Sequence, residues 1–376
     1  MKIVISPDKF KNSLSSLEFC TIVKNQILDF DATIDVLELP LADGGDGTIE
    51  IMNYYLKGNL VTVTVNNPFF KPVEASYLFS KKNKTAFIEM AEASGVKLLS
   101  KKEFDCKNAT TFGTGEMILD AINNGAETII LGIGGSATND CGIGMATALG
   151  YQFLDKNKQQ VIPIGKNLPS IKYIDDSNVL LSLQNVKFKV ACDVDNPLYG
   201  KNGAAHTYAA QKGASKDDIL ELDKGLKHFA AILNNHFKTN VQKVKGAGAA
   251  GGMGIASKLF LNGELQSGID LIKSIANYNK AIKNASWIIT GEGKLDDQTL
   301  SGKTISGILK TTKNKPCKVA AICGTIDLPK NELQKMGIHY GVDILNIAKS
   351  LEDAMKNSEK YLNTLTKKFI VDNLST

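Results

Sequence analysis

Residues 1–18 read MKIVISPDKFKNSLSSLE, and this opening stretch decides the fold class. Ile3–Ile5 is a short, uninterrupted run of β-branched apolar residues, the pattern of a strand buried on both faces. A polar turn follows, Ser6-Pro7-Asp8-Lys9-Phe10-Lys11. Ser15, with Glu18 three residues on, then forms a capping box, which marks the start of a helix. Strand, polar turn and capped helix together make one βα unit.

The same order recurs along the chain. Apolar runs at Ile34–Leu39, Thr128–Ile133, Phe188–Cys192, Trp287–Thr290, Lys318–Ile322 and Val342–Ile347 alternate with segments of helical periodicity. Ser350 and Asp353 repeat the capping pattern. This alternation predicts an α/β protein with a largely parallel sheet. Leu60–Phe87 departs from it, because Val61, Val63 and Val65, and later Ala75, Tyr77 and Phe79, alternate with polar residues around Pro68 and Pro72. That pattern predicts antiparallel strands in a second subdomain. The length of 376 residues fits two domains. Residues 1–66 with 285–376 are expected to form a discontinuous first domain, and residues 67–284 a second one inserted into it. No fixed-period repeat or low-complexity linker is present, which excludes a solenoid.

Composition narrows the function. With 43% hydrophobic residues there is material for buried cores, yet no apolar stretch nears the roughly 18 residues of a membrane helix. The start lacks the apolar core of a signal peptide, so a cytoplasmic protein is expected. The net charge of +5 comes from lysines interspersed with carboxylates, which argues against nucleic acid as a partner. The six cysteines form no CxxC pair and the four histidines no zinc spacing. All 44 basic residues are lysine, with no arginine. Anions must therefore be held by lysine, backbone N–H groups or metal.

Ligands of open α/β sheets gather where loops leave the carboxyl ends of strands. Five such loops carry chemistry: 6–11; Ala42-Asp43-Gly44-Gly45-Asp46-Gly47-Thr48; Gly132-Ile133-Gly134-Gly135-Ser136-Ala137-Thr138-Asn139-Asp140; Ala191-Cys192-Asp193-Val194-Asp195-Asn196-Pro197-Leu198; and Gly291-Glu292-Gly293-Lys294-Leu295-Asp296. Each alone is ordinary turn chemistry. Together they supply what phosphoryl transfer needs: glycine N–H groups for phosphates, carboxylates for magnesium, a lysine, and a base. The run at 134–138, ahead of a helix expected near Gly142, has the make-up of a phosphate cradle. A second glycine run, 246–254, could serve the same end or let a helix pack closely. Gly302-Lys303-Thr304 is not a P-loop, because Asp297 stands where its first glycine belongs. Gly132-Ile133-Gly134-Gly135-Ser136-Ala137 matches a dinucleotide fingerprint, with Asp155 further on, and supports a rival reading as a dehydrogenase of a small hydroxy acid. Against it, a Rossmann helix would already be running by Ala137.

The strings PDKFKNSLS (7–15), LADGGDGT (41–48), FIEMAEASG (87–95), FGTGE (112–116), GIGGSATNDCGIGM (132–145), ACDVDNPLYG (191–200), QKGAS (211–215), GAGAAGGMG (246–254) and TGEGKLDDQTLSGK (290–303) resemble, in this order, motifs of bacterial glycerate kinases. The resemblance implies two unlike α/β domains, one flavodoxin-like with a permutation and one restriction-endonuclease-like, with the active site in the cleft between them. It implies transfer of the γ-phosphoryl of ATP to D-glycerate with Mg2+, favouring 2-phosphoglycerate over 3-phosphoglycerate. On this sequence, Gly134, Gly135, Ser136, Ala137, Thr138, Asn139 and Lys303 would hold nucleotide phosphates, and Asp43, Glu292 and Asp296 magnesium. Asp193 is the first candidate for the base and Asp8 the next. Lys11 and Lys294 would meet the glycerate carboxylate or the transferred phosphoryl. Two departures from the family bear on this: Lys294 stands where members often carry arginine, and Lys9 where they often carry serine.

Overall fold

A computed structural model describes residues 1–44, 47–296 and 304–375 of the chain. Its contacts divide into two units, Met1–Tyr55 with Ser267–Thr376, and Leu56–Gln266.

The first unit is built on a five-stranded parallel sheet in the order Tyr340–Asp343, Lys318–Cys323, Trp287–Thr290, Lys2–Ile5, Asp35–Glu38. Numbered along the chain this is 2-1-3-4-5, and the order reverses between the strands Lys2–Ile5 and Trp287–Thr290. Ile3, Val4, Ile5, Ile288 and Ile289 are wholly buried, as expected of central parallel strands covered on both faces. The helix Ser16–Phe30 starts at the expected capping box: the Ser15 hydroxyl accepts the Glu18 N–H while the Glu18 carboxylate accepts the Ser15 N–H. Its buried face, Phe19, Val23 and Ile27, joins Leu362, Leu365 and Phe369 of the helix Ser358–Asn373 in one core. The last strand ends at Asp343, short of the expected Ile347. The Asp343 carboxylate accepts both the backbone and side-chain N–H of Asn346, and this turn bends the chain out of the sheet. Ser350 then caps the helix Leu351–Lys356 by accepting the Asp353 N–H. The Asp353 carboxylate, however, takes the N–H of Lys349, so the expected box is only half made.

The second unit has a six-stranded mixed sheet, in the order Glu264–Gln266, Lys187–Ala191, Thr128–Gly132, Thr85–Glu89, Pro72–Ser80, Asn59–Asn66. The first four run parallel, and Pro72–Ser80 pairs antiparallel with both Thr85–Glu89 and Asn59–Asn66. The alternation in 60–79 is thus a hairpin, with Pro68 in its connection and Pro72 at the first position of the return strand, where a missing N–H is tolerated. A single core gathers Tyr77, Ile88, Leu131, Phe153 and Phe229. The first boundary falls before Leu56 and not after residue 66, because Asn59–Asn66 is laddered along its whole length to Pro72–Ser80. The second falls after Gln266 and not at 284, because the helix Gly268–Ile275 belongs to the first unit. There Ile269 abuts Gly307 of the helix Thr304–Thr312, and Lys273 Nζ donates to the Gly307 carbonyl. Among the described residues no helix is long and apolar enough to cross a membrane.

Candidate active site

In the first unit, the neighbouring parallel strands Lys2–Ile5 and Trp287–Thr290 send their loops out side by side. The Ser6 N–H donates to the Ile289 carbonyl (2.7 Å), the Asp8 N–H to the Gly291 carbonyl (2.8 Å), and Thr290 Oγ1 to the Ser6 carbonyl (2.8 Å). These bonds place both loops at the point where the strand order reverses, the usual location of a ligand in such a sheet. A cavity of about 470 Å³ opens there, with Asp8, Lys9, Lys11, Asp43, Glu292 and Lys294 in its lining.

Asp8 is buried, with 8% of its surface exposed. Its carboxylate accepts the Lys9 N–H and the Thr304 hydroxyl. Burial raises its pKa, the Thr304 bond pulls against it, the charge of Asp43 adds to the rise and Lys9 opposes it, and the balance leaves the carboxyl at about 6. Lys294 is held above the ordinary lysine range, first by Asp327 at 2.8 Å and then by Asp296 at 3.5 Å. Among the described residues no three His, Cys, Asp or Glu side chains are grouped to hold an ion by themselves. Magnesium asks for less, since it keeps several waters and takes one or two carboxylates beside substrate phosphates. Asp43 and the buried Glu292 offer that donor set on one cavity.

In the second unit, the strands Thr128–Gly132 and Lys187–Ala191 are parallel neighbours, so the loops after them leave the same edge of the sheet. The loop 133–142 is pinned on several sides. Ala137 donates to the Ser94 carbonyl, and Gly135 accepts from Val96. Asp140, fully buried, accepts from the backbone and hydroxyl of Thr111 and from the N–H groups of Gly142 and Gly144. Beneath the loop lies Lys212, 4% exposed, whose ammonium donates to Ser136 Oγ (2.6 Å) and to the Thr138 carbonyl (2.8 Å). Burial pushes its pKa down to about 8, against the opposing pull of Cys106 and Asp140. Thr138 Oγ1 and both amide atoms of Asn139 are buried without a hydrogen-bond partner among the described residues.

The glycine run 246–254 serves close approach here. Ala250, Gly251 and Gly252 are all left-handed, and Gly251 accepts the Cys141 N–H. A Cβ on Gly251 would lie 2.2 Å from the Thr138 carbonyl oxygen, and one on Gly246 would lie 2.8 Å from Cys192 Sγ. The run therefore touches both the 133–142 and the 192–197 loops.

Of the residues singled out by sequence, Asp8, Lys11, Asp43, Glu292 and Lys294 share the first unit's cavity, and Asp296 stands beside Lys294. Gly134 to Asn139 form the second unit's loop, with the exposed Asp193 at the next strand's end. Gly45, Asp46 and Lys303 lie outside the described residues. The helix following the loop starts only at Ile143, as the absence of a Rossmann turn requires. Sequence reasoning missed Thr304, Asp327 and Lys212. Of these, Lys212 could have been found in QKGAS as the lysine of a glycine-flanked string, but nothing nearby in sequence reveals its burial.

A family model described as the glycerate kinase family matches residues 3–372. The glycerate kinase of Bacillus cereus is 40% identical over 367 residues, covering 98% of this chain and 96% of that one. The glycerate 2-kinase of Escherichia coli K12 is 39% identical over 358 residues, covering 95% and 94%. A crystal structure of a chain assigned as glycerate kinase 2 from Salmonella typhimurium LT2 superposes with a TM-score of 0.88 at 35% identity, covering 100% of both chains. A match along nearly the whole length, in sequence and in fold, leaves one conclusion: this α/β chain belongs to the glycerate kinase family.

Proposed function

We propose that the chain is a cytoplasmic ATP-dependent kinase that transfers the γ-phosphoryl group to the 2-hydroxyl of D-glycerate, giving 2-phosphoglycerate and ADP. The observation that carries this reading is the cavity in which a buried carboxylate, Asp8, sits with two further carboxylates and three lysines. Family membership supports glycerate as acceptor, and the name of the Escherichia coli relative supports the 2-position.

Asp8 acts as the base in this reading. Its pKa of about 6 leaves it ionised at neutral pH yet basic enough to accept the hydroxyl proton. As that proton moves to the Asp8 carboxylate, the glycerate oxygen bonds to the γ-phosphorus. The bond from phosphorus to the bridging oxygen breaks, and its electron pair leaves on ADP. Magnesium, held by Asp43 and Glu292, would neutralise charge on the β- and γ-oxygens. Lys9, Lys11 and Lys294 bring positive charge to the phosphoryl group, without the bidentate fork that arginine would give Lys294's position. Asp193, exposed after the strand Lys187–Ala191 of the second unit, is the alternative base. The loop Gly134–Asn139, with Lys212 beneath it, offers an ammonium and hydroxyl groups suited to anionic oxygens. For the fold, the 2-1-3-4-5 strand order supports the flavodoxin-like reading of the first unit, and the restriction-endonuclease-like reading of the second rests on the sequence resemblance.

The test is the initial rate of ADP release with D-glycerate and Mg2+, repeated with chelator. Glycerate-dependent release that the chelator abolishes is expected; no acceleration of ADP release by D-glycerate would remove the proposal.

A further inference from the structure

The first unit's cavity has an apolar side that phosphoryl chemistry leaves unused. Ile344, Leu351, Ala354 and Met355 line it together with the charged residues. Leu351, Ala354 and Met355 are spaced i, i+3, i+4 on the helix Leu351–Lys356, so they share one face. This helix follows the strand Tyr340–Asp343, so the wall, like the charged floor, stands at the carboxyl edge of the sheet. Ser13 Oγ donates to the Met355 carbonyl (3.3 Å), which ties the helix to the loop that carries Asp8 and Lys11. Leu351 is 65% exposed and Met355 37%, while Ile344 and Ala354 behind them are buried. Large apolar side chains exposed on a cavity wall mark the place where a ligand covers them.

A ligand that fits both sides has a flat apolar end and a polyanionic end that takes lysines and magnesium. We propose that this wall is the donor-nucleotide subsite, with the purine ring of ATP packed on Ile344, Leu351, Ala354 and Met355 and the phosphates running toward Lys9, Lys11 and Lys294. The inference rests on the kinase reading and deepens it. It places the whole donor in the first unit, whereas the sequence reading had assigned the donor phosphates to Gly134–Asn139 together with Lys303.

The test uses Leu351→Gln and Met355→Gln, neutral changes at surface-exposed positions, with folding checked by circular dichroism. Measured are KM for ATP and for D-glycerate, ADP affinity by calorimetry, and inhibition by inorganic tripolyphosphate, which has the phosphates without the base. The subsite predicts at least a tenfold rise in KM for ATP and a matching loss of ADP affinity. KM for glycerate and the inhibition constant of tripolyphosphate should stay within twofold. Unchanged ATP and ADP affinity in folded variants overturns the proposal. So does equal weakening of ADP and tripolyphosphate, or a change confined to self-association in sedimentation. Should either variant fail to fold, Leu351→Ala with Met355→Ala, which removes most of the apolar wall, must weaken ADP at least fivefold while the inhibition constant of tripolyphosphate stays within twofold; unaltered ADP affinity overturns the proposal. A wild-type chain without glycerate-dependent turnover would sink the kinase reading instead, and ADP calorimetry would still decide the subsite.

Discussion

Asp8 shows how one residue carries a testable claim about pH. A base must be ionised to act, so kcat/KM should fall about tenfold per unit below pH 6, where Asp8 takes up its proton. Asp8→Asn should lower kcat by at least about 100-fold, the scale of general-base catalysis, and abolish that acid limb. Thr304→Val removes a hydrogen bond that favours the ionised form, so its pH profile should shift upward. A limb at an unchanged pH in Asp8→Asn would assign the proton acceptor elsewhere, with Asp193 next in line. Lys212 makes a claim about stability. Its folded pKa, about 8, lies below the free value of 10.5. Between these values the unfolded chain holds a proton that the native chain has lost. Stability therefore rises with pH across that window, by at most about 1.4 kcal/mol per unit from this group, and below pH 8 the cost of burying its charge is fully present. Urea unfolding from pH 8 to 10 should show the wild type gaining on Lys212→Met; parallel curves would contradict a buried ammonium. Asp8 was legible in sequence because it follows a strand by three residues. Lys212 was not, since its partner Ser136 lies 76 positions away.

At the scale of elements, the loop 133–142 owes its shape to the glycine run packed on it. Gly251→Ala must place a Cβ 2.2 Å from the Thr138 carbonyl at a φ of +70°. The left-handed conformation alone costs about 1–2 kcal/mol, and the backbone clash adds to it. A loss of at least about 2 kcal/mol in urea unfolding is expected, together with weakened substrate binding. An unchanged midpoint would mean that the two backbones are not in contact. Sequence left open whether this run cradles phosphate or permits packing, because the decision lies with Thr138 and Cys141, more than a hundred positions earlier. The central parallel strands were readable as unbroken apolar runs, and the hairpin as alternation. Strand ends were not: Asp343 stops its strand through a side-chain turn to Asn346 that apolar patterning does not encode. Glu264–Gln266, three residues paired to Lys187–Ala191, carries no pattern of its own.

At the scale of the molecule, each unit has its own sheet and its own core, and each presents candidate site residues at strand carboxyl ends. That much follows from βα alternation, and the boundaries moved only where a hairpin and a helix chose their partners. In a chain without arginine the lysines are tuned by their surroundings: Lys294 is braced by Asp327 and Asp296, and the pKa of Lys212 is depressed by burial. Asp327 escaped sequence reasoning because it lies 33 positions beyond Lys294 in a loop with no glycine-rich signature. The central claim is that this machinery moves one phosphoryl group from ATP to the 2-hydroxyl of D-glycerate with Asp8 as the base. Phosphorus NMR of the protein with ATP, Mg2+ and D-glycerate tests it most directly. The account predicts that the γ-phosphorus signal is replaced one for one by 2-phosphoglycerate as ADP appears, and that Asp8→Asn leaves the spectrum of ATP essentially unchanged over the same time. An ATP spectrum untouched by the wild type, or 3-phosphoglycerate or free phosphate as its sole product, would contradict it.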